Sequence, residues 1–115
     1  MSAPIVFFDI ASLDSEALQT FYSRLFGWES DGAGQFAVNV DVPLRAAFRQ
    51  DSAQKRLYIG VNDVTLKLKE IEASGGSIDV PRFEVPGVVI LGLFRDPAGN
   101  PMGLVELEEG KPKIP

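Results

Sequence analysis

Apolar residues recur at helical spacing early in the chain, after a short run that is almost wholly apolar. The run at residues 5–10 contains one carboxylate and predicts a strand that lies mostly inside the protein. Asp14 then stands as a helix N-cap, and Gly27 stands where a helix would end. Between them, one broad helix face carries Ala17, Leu18, Phe21, Tyr22, Leu25 and Phe26. The pattern predicts a strand and then an amphipathic helix that ends near Gly27.

Short extended segments follow this helix, separated by glycine, aspartate and proline, which are typical of turns. The predicted strands cover residues 28–30, 35–40 and 44–49. We therefore expect the first half of the chain to run as a strand, a helix and three further strands.

The second half of the chain repeats this order. A constant shift places Asp14 on Asp63, a second candidate N-cap, and Gly27 on Gly76, where the second helix would end. The predicted elements of this half are a strand at residues 57–61, a helix face with Val64, Leu68 and Ile71, and strands at residues 77–80, 88–94 and 102–107.

The repeated pattern indicates the fold class and the domain boundaries. We predict a single α+β domain over residues 1–115, built from two βαβββ repeats at about residues 4–50 and 55–108. Residues 96–100, Asp-Pro-Ala-Gly-Asn, predict a tight hairpin between the last two strands. The mixed charges of residues 108–113 predict a frayed tail.

Composition limits the partners of this domain. The chain has 115 residues, 45% hydrophobic and 23% charged, as in ordinary globular domains, and no apolar run is long enough to span a membrane. The net charge of -5 opposes binding to nucleic acid and to anionic membrane surfaces. The first residues lack the features of a secretory signal, so we expect a cytoplasmic protein. A domain this small gains buried surface by pairing with a second copy, so we also expect a homodimer.

Three groups of sequence motifs carry a resemblance to a known family. They are FFDIASLD with FYSRLFGW, YIGVNDV with EASGG, and FRDPAGNPMGLVE. Together they resemble the vicinal oxygen chelate superfamily, which includes glyoxalase I, bleomycin-resistance proteins and extradiol dioxygenases, over residues 4–108. The resemblance implies an eight-stranded, cup-shaped mixed sheet with a helix covering each half and a ligand cavity in the concave face. Because members of this superfamily carry out several different reactions with one fold, the resemblance leaves the activity open.

The metal site that the resemblance implies has no ligands at the positions that can be aligned. The family's first metal histidine falls on Phe7, the corresponding position of the second half is Arg56, and the family's last ligand, a glutamate, falls on Gly103. None of these side chains can donate a lone pair to a cation. Glu106 would point to the opposite face of an ideal strand. The chain also contains no histidine and no cysteine, so we expect neither a metal ion nor another cofactor.

Alternation along the strands sorts side chains onto two faces. Asp9 is a carboxylate in an apolar strand, and Arg56 and Tyr58 should face the cup. We therefore expect Asp9 and Arg56 to hold the polar ends of a small ligand. The apolar side chains available to the rest of that ligand are Phe7, Tyr58, Val105 and Leu107.

A simpler explanation of the same charges is also open. Asp9 and Arg56 would then pair with each other or lie at an exposed strand end, since charges on strands are often solvated. Arg45 and Arg49 alternate with Ala47 on one face, where they would meet an anionic ligand or water.

Two functions of different classes follow. The first is a metal-free protein that binds a small, partly apolar molecule, and the missing metal ligands favour it. The second is an enzyme of the lyase, isomerase or dioxygenase class that acts on a small carbonyl-containing or aromatic substrate. In that enzyme Asp9, Arg56 or Tyr58 would replace the metal ion with the help of pKa shifts, or a lyase or dioxygenase would hold its metal ion at positions other than the aligned ones.

Overall fold

The computed structural model describes residues 2–31, 34–38 and 44–115. These residues form eight strands and two helices with both parallel and antiparallel strand pairs, so the predicted α+β fold with a mixed sheet is confirmed. In chain order the elements are β1 (Ile5–Ser12), α1 (Ser15–Phe26), β2 (Gln35–Val38), β3 (Leu44–Gln50), β4 (Gln54–Val61), α2 (Val64–Ala73), β5 (Ser77–Val85), β6 (Val89–Arg95), β7 (Pro101–Glu108) and β8 (Lys111–Pro112). Neither helix in this described part of the chain is long and apolar enough to cross a bilayer.

The chain divides into two compact units. The first unit is Phe7–Arg56, and the second unit joins Met1–Val6 to Leu57–Pro115. The division falls close to the boundary between the two predicted repeats. That the repeats make one domain around a cup stays a prediction.

In the first unit, β1 and β3 pair in parallel and β2 pairs antiparallel to β3. Helix α1 packs on one face of these strands. The apolar cluster on that face consists of Phe8, Leu18, Ile10, Tyr22, Trp28, Phe36, Ala46 and Phe48. The rings are closely stacked, with centroids 4.5 Å apart for Phe36 and Phe48. Since side chains alternate along a strand, the opposite face carries Phe7, Asp9 and Ala11.

Polar contacts define the ends of the helices as the sequence predicts. The side chain of Asp14 accepts a hydrogen bond from the backbone N–H of Ala17 at 3.0 Å. Gly27 follows α1 in the left-handed conformation, with φ 71°, which a glycine adopts without steric cost. Asp63 caps α2 in the same way, accepting from the N–H of Leu66 at 2.9 Å.

The strand predicted at residues 28–30 is wrong, because only Ser30 forms a bridge there, to Phe36. Trp28 stacks on Tyr22 of α1 and on Phe36 of β2, with ring centroids 5.1 and 5.3 Å apart. The side chain of Trp28 thus connects the helix to the sheet. The backbone pairs with β2 only at Ser30.

In the second unit the strands lie in the order β4, β7, β6, β5, with β4 and β7 parallel and the other pairs antiparallel. Val64 and Leu68 of α2 are buried against one face. The residues packed around them are Ile59, Val61, Ile71, Ile78, Phe94, Met102 and Leu104. Gly92 allows this close approach, because a β-carbon there would lie 2.6 Å from Cγ1 of Val64. The predicted face of the second helix is thereby confirmed.

Most strand boundaries agree with the sequence pattern to within two residues, but the strand predicted at residues 57–61 begins earlier, at Gln54. The strand predicted at residues 35–40 is observed as Gln35–Val38, and its last two predicted positions lie outside the described residues. The strand predicted at residues 77–80 continues to Val85. Its pairing with β6 contains two register shifts, which break the alternation from which a strand is recognised.

The tail predicted to fray at residues 108–113 forms a hairpin instead. Glu109 and Gly110 both have positive φ, 52° and 77°, as a two-residue hairpin loop of the primed type requires. β8 pairs antiparallel with the end of β7, and the N–H of Lys113 donates to the carbonyl of Glu106 at 2.9 Å. The prediction was wrong because it considered the charges of the segment and not the turn.

Candidate functional site

Three of the five predicted ligand residues lie in the first unit. Phe7 and Asp9 are on the face of β1 opposite α1, because their neighbours Phe8 and Ile10 pack with the helix cluster. Asp9 is 3% exposed, Arg56 is 6% exposed, and Phe7 is half-buried. The alternative that Asp9 and Arg56 lie at an exposed strand end is therefore wrong.

Asp9 forms an ion pair that joins β1 to β3. The parallel register places Asp9 beside Ala47, which brings Arg49, two positions further along β3, onto the same face. Nε of Arg49 donates to Oδ2 of Asp9 at 3.1 Å. A buried carboxylate is costly unless it is paired, and Arg49 supplies that partner. Sequence reasoning missed this pair because the register between two strands cannot be read from either strand alone.

Asp51 binds the same guanidinium from another side. Its Oδ2 accepts from Nη1 of Arg49 at 2.7 Å. The backbone N–H of Ser52 lowers the pKa of Asp51 most, the hydrogen bond from Arg49 lowers it next, and the positive charge of Arg56 adds a smaller contribution. Arg49 therefore meets carboxylates of its own chain, where the sequence pattern predicted a ligand or water.

Arg45 lies on the same face but is held differently. Its Nη2 donates to Oε1 of Gln35 on β2 at 2.8 Å. Its side chain is exposed, and its position on β3 is directly beside Phe7 of β1. The face of the first unit opposite α1 thus combines an aromatic ring, small alanines and ordered guanidinium groups.

Tyr58 and Val105, the other two predicted ligand residues, lie in the second unit and are 6% and 4% exposed. The parallel register of β4 and β7 places Tyr58 beside Gly103 and Gly60 beside Val105. These residues are on the face opposite α2, because Ile59, the neighbour of Tyr58, packs with the helix cluster. Both predicted residues are therefore buried side chains on the predicted face.

The ring of Tyr58 fills the space that a side chain at position 103 would need. A β-carbon on Gly103 would lie 2.4 Å from Cδ2 of Tyr58, far inside van der Waals contact. With Phe7 and Arg56 at the other aligned positions, the residues present do not fit the chelate that the resemblance implies. Within residues 2–31, 34–38 and 44–115, no three Asp or Glu side chains are grouped so that they could hold a metal ion.

Glu106 lies on the side of α2, as its position in the strand predicts. It is 6% exposed, and its Oε1 accepts from the N–H of Val64 at 3.2 Å and from Nε of Arg82 at 3.1 Å. Its Oε2 accepts from Nη2 of Arg82 at 2.7 Å. The hydrogen bonding by Arg82 is the main reason why the pKa of Glu106 is lowered. Glu106 is therefore a structural carboxylate that joins β7 to α2 and β5.

A cavity of about 380 Å³ opens in the second unit, where β4 ends and α2 begins. Leu107, which the sequence predicted to face the ligand, lines it together with Gly60 of β4 and with Leu66 and Lys67 of α2. Its walls are mainly apolar. The size suits a small organic molecule, since ligand pockets in proteins begin at about 300 Å³.

Comparison with curated proteins finds similar chains of known name, while no family model matches. The anthracycline biosynthesis protein DauV of Streptomyces sp. (strain C5) is 26% identical over 117 residues, covering 80% of this chain and 42% of that protein. CFP32 of Mycobacterium tuberculosis, provisionally named a glyoxylase, is 26% identical over 111 residues, covering 84% of this chain and 42% of that protein. The chain thus spans less than half the length of these relatives.

Comparison with solved structures finds the same fold. A methylmalonyl-CoA epimerase in complex with methylmalonyl-CoA and NH4+ superposes with a TM-score of 0.67 at 16% identity, covering 98% of this chain and all of that chain. Methylmalonyl-CoA epimerase from Mycobacterium tuberculosis superposes with a TM-score of 0.57 at 14% identity, covering 90% of this chain and 87% of that chain. At these identities the likeness is one of fold.

Proposed function

The chain belongs to the vicinal oxygen chelate superfamily, and on that premise we propose that it binds a small molecule without the metal ion that this superfamily is named for. Fold alone does not decide the activity, because the superfamily supports both binding proteins and enzymes. The proposal therefore depends on the residues that replace the chelate.

The contact between Tyr58 and Gly103 is the observation that carries the proposal. A metal ligand at this position needs a side chain, and the nearest atom of the buried Tyr58 ring lies 2.4 Å from where a β-carbon of residue 103 would be. Phe7 and Arg56 supply an apolar surface and a fixed positive charge at the other aligned positions. Such groups suit recognition of an organic ligand by packing and charge.

We assign the ligand contacts unit by unit. In the first unit they are Phe7, Asp9 and Arg56, with Asp9 ordered by Arg49. In the second unit they are Tyr58 and Val105, both buried on the face opposite α2. A few polar groups among apolar residues is the usual composition of a small-molecule site.

A ligand screen tests the proposal directly. A bound small molecule should keep its affinity when EDTA is added, because no metal ion mediates its binding. Arg56→Met, which keeps the length of the side chain and removes its charge, should weaken that binding at least tenfold, as should the nearly isosteric Asp9→Asn. Lys55→Met is the matched control, since Lys55 is the exposed neighbour of Arg56 on β4 and should leave the affinity unchanged.

Two results would refute this proposal. Loss of binding in EDTA would show that a metal ion is required. Unchanged affinity in both Arg56→Met and Asp9→Asn, for every bound molecule, would remove the assigned polar contacts. Thermal melting of each variant shows whether it is still folded, so that a change in binding is not confused with loss of the fold.

The alternative is an enzyme that acts on a small carbonyl-containing or aromatic substrate. The names of the glyoxylase CFP32 and of the epimerases favour it. Among this chain's groups, Asp9 and Tyr58 are the candidate acid or base, and both are buried. Turnover of a bound carbonyl compound that Asp9→Asn abolishes would support this alternative. A homodimer and a cytoplasmic location stay predictions from the sequence.

A further inference from the structure

The face of the first unit opposite α1 carries exposed positive charge on a chain whose net charge is -5. Strand β3 places Arg45 and Arg49 there, with Ala47 between them. Their α-carbons are about 13 Å apart at the usual rise of a parallel strand, because they are four residues apart. Ala47, which lies between them on this face, is small and half-buried.

Arg45 differs from the arginines that form ion pairs in the charge of its partner. Arg49 binds two carboxylates, of Asp9 and Asp51, at 3.1 and 2.7 Å. Arg82 and Arg95 likewise pair with carboxylates. The hydrogen-bond partner of Arg45 is the neutral amide of Gln35, and within the described segments of the chain it forms no ion pair. Gln35 therefore orients the guanidinium of Arg45 without neutralising it, and no carboxylate of residues 2–31, 34–38 or 44–115 pairs with it.

An apolar surface adjoins this guanidinium. Phe7 lies directly beside Arg45 in the register of β1 and β3 and is half-buried. Ala47 is also half-buried. A flat ligand could rest on these side chains while one end reaches Arg45.

We propose that this face recognises an anionic oxygen group on the ligand, a carboxylate or a phosphate, and that Arg45 is the residue that contacts it. The inference rests on the proposed function and adds the charge class of the ligand. A guanidinium matches two oxygens of such a group with parallel hydrogen bonds, which an exposed lysine does not. Phe7 and Ala47 contact the apolar part of the same ligand.

Three small probes of similar shape test this assignment by NMR on the full ¹⁵N-labelled chain. They are benzoate, phenyl phosphate and the neutral benzamide. Benzoate or phenyl phosphate should bind at least tenfold more tightly than benzamide, with shifts at the amides of Arg45 and Ala47. The affinity for the anions should fall as salt is added, because the contacting charge is exposed. The tighter of the two anions identifies the ligand group.

Matched variants separate Arg45 from the general charge of the chain. Arg45→Gln should remove the preference for anions and leave benzamide binding unchanged. Arg45→Lys should keep only part of the preference, because the planar fork is lost. Arg24→Gln removes an exposed arginine from the last turn of α1 in the same unit and should keep the full preference.

Equal affinity for benzoate and benzamide overturns the inference, as does an Arg45→Gln variant that keeps the preference. Absence of shifts at Arg45 and Ala47 with either anion overturns it too. The proposed function survives these results, because a neutral ligand needs no contact with Arg45. Failure of the proposed function would be recognised separately, by a ligand that no longer binds once EDTA is added.

Discussion

A β-carbon on Gly103 would lie 2.4 Å from Cδ2 and 2.6 Å from Cε2 of Tyr58. Both residues are buried, and they lie directly beside each other on the paired strands β4 and β7. At this single position the absence of a side chain permits the packing of a large ring, and in our proposal it also leaves no metal ligand there.

Gly103→Ala should therefore lower the free energy of unfolding by about 1–3 kcal/mol, the usual cost of overpacking a core. Chemical denaturation monitored by circular dichroism measures it. In a Tyr58→Ala background the same substitution should cost less than half as much, because the ring that it meets is gone. An equal cost in both backgrounds would show that Tyr58 does not occupy this space.

The residues that sequence reasoning recovered are those whose chemistry is unusual for their position. Asp9 and Arg56 are charges in strands with apolar neighbours, and both are buried in the structure. Arg49 was missed because its partner depends on the register of β1 and β3, which involves residues distant in sequence. Whether Asp9 and Arg56 contact a ligand stays a prediction.

Glu106 joins three elements, because its carboxylate binds the first turn of α2 and Arg82 of β5 from a position on β7. Arg82 lies where the pairing of β5 with β6 shifts register, between Val80 and Phe83. Its ion pair therefore fixes an irregular part of an edge strand.

Glu106→Gln should cost about 1–3 kcal/mol of stability at neutral pH, the usual penalty for removing a charged partner from a buried hydrogen bond. The pKa of Glu106 is lowered in the folded chain, so this contribution is complete above the ordinary glutamate pKa. It is lost as the pH falls through the lowered value. The stability difference between the wild-type chain and the variant should thus shrink on acidification, as urea denaturation at a series of pH values would measure.

Glu108→Gln is the matched control, since Glu108 is exposed and its ion pair with Lys113 is long, at 3.7 Å. A surface pair of this kind contributes little, so the variant should match the wild-type chain at every pH. A pH-independent difference for Glu106→Gln would show that the ionised carboxylate is not what stabilises this junction.

The terminal hairpin makes a second prediction at the scale of elements. Gly110→Ala should open β8, because a β-carbon at φ 77° costs about 1–2 kcal/mol. Glu109→Gly relieves the same strain at the preceding position and should strengthen the hairpin. Hydrogen exchange of the Lys113 amide, which donates to Glu106, reports both effects. Faster exchange in Glu109→Gly, or no change in Gly110→Ala, would contradict this description of the turn.

Elements with regular periodicity could be predicted from the sequence, and irregular ones could not. The N-caps Asp14 and Asp63 were predicted because a cap needs only local hydrogen bonds. The bridge at Ser30 and the hairpin after Glu108 depend on ring packing and on backbone angles that residue type indicates weakly. The long β5 was missed because its register shifts interrupt the alternation.

At the scale of the whole molecule, the sequence and the comparisons agree on the fold, and neither decides the activity. The repeated pattern of N-caps and apolar spacing was sufficient to predict the α+β class with a mixed sheet. The epimerase structures share this fold at 14–16% identity, which leaves room for every residue of the site to differ. In our proposal, this chain differs from a metal-dependent enzyme because Phe7, Arg56 and Gly103 stand at the aligned ligand positions.

Metal content therefore tests the central claim most directly. The purified full chain would be incubated with nickel, zinc, manganese and ferrous iron, passed through gel filtration and analysed for each element. We predict that every metal stays far below one ion per chain, because no side chain at the aligned positions can donate a lone pair. One ion of any of these metals retained per chain would contradict the account.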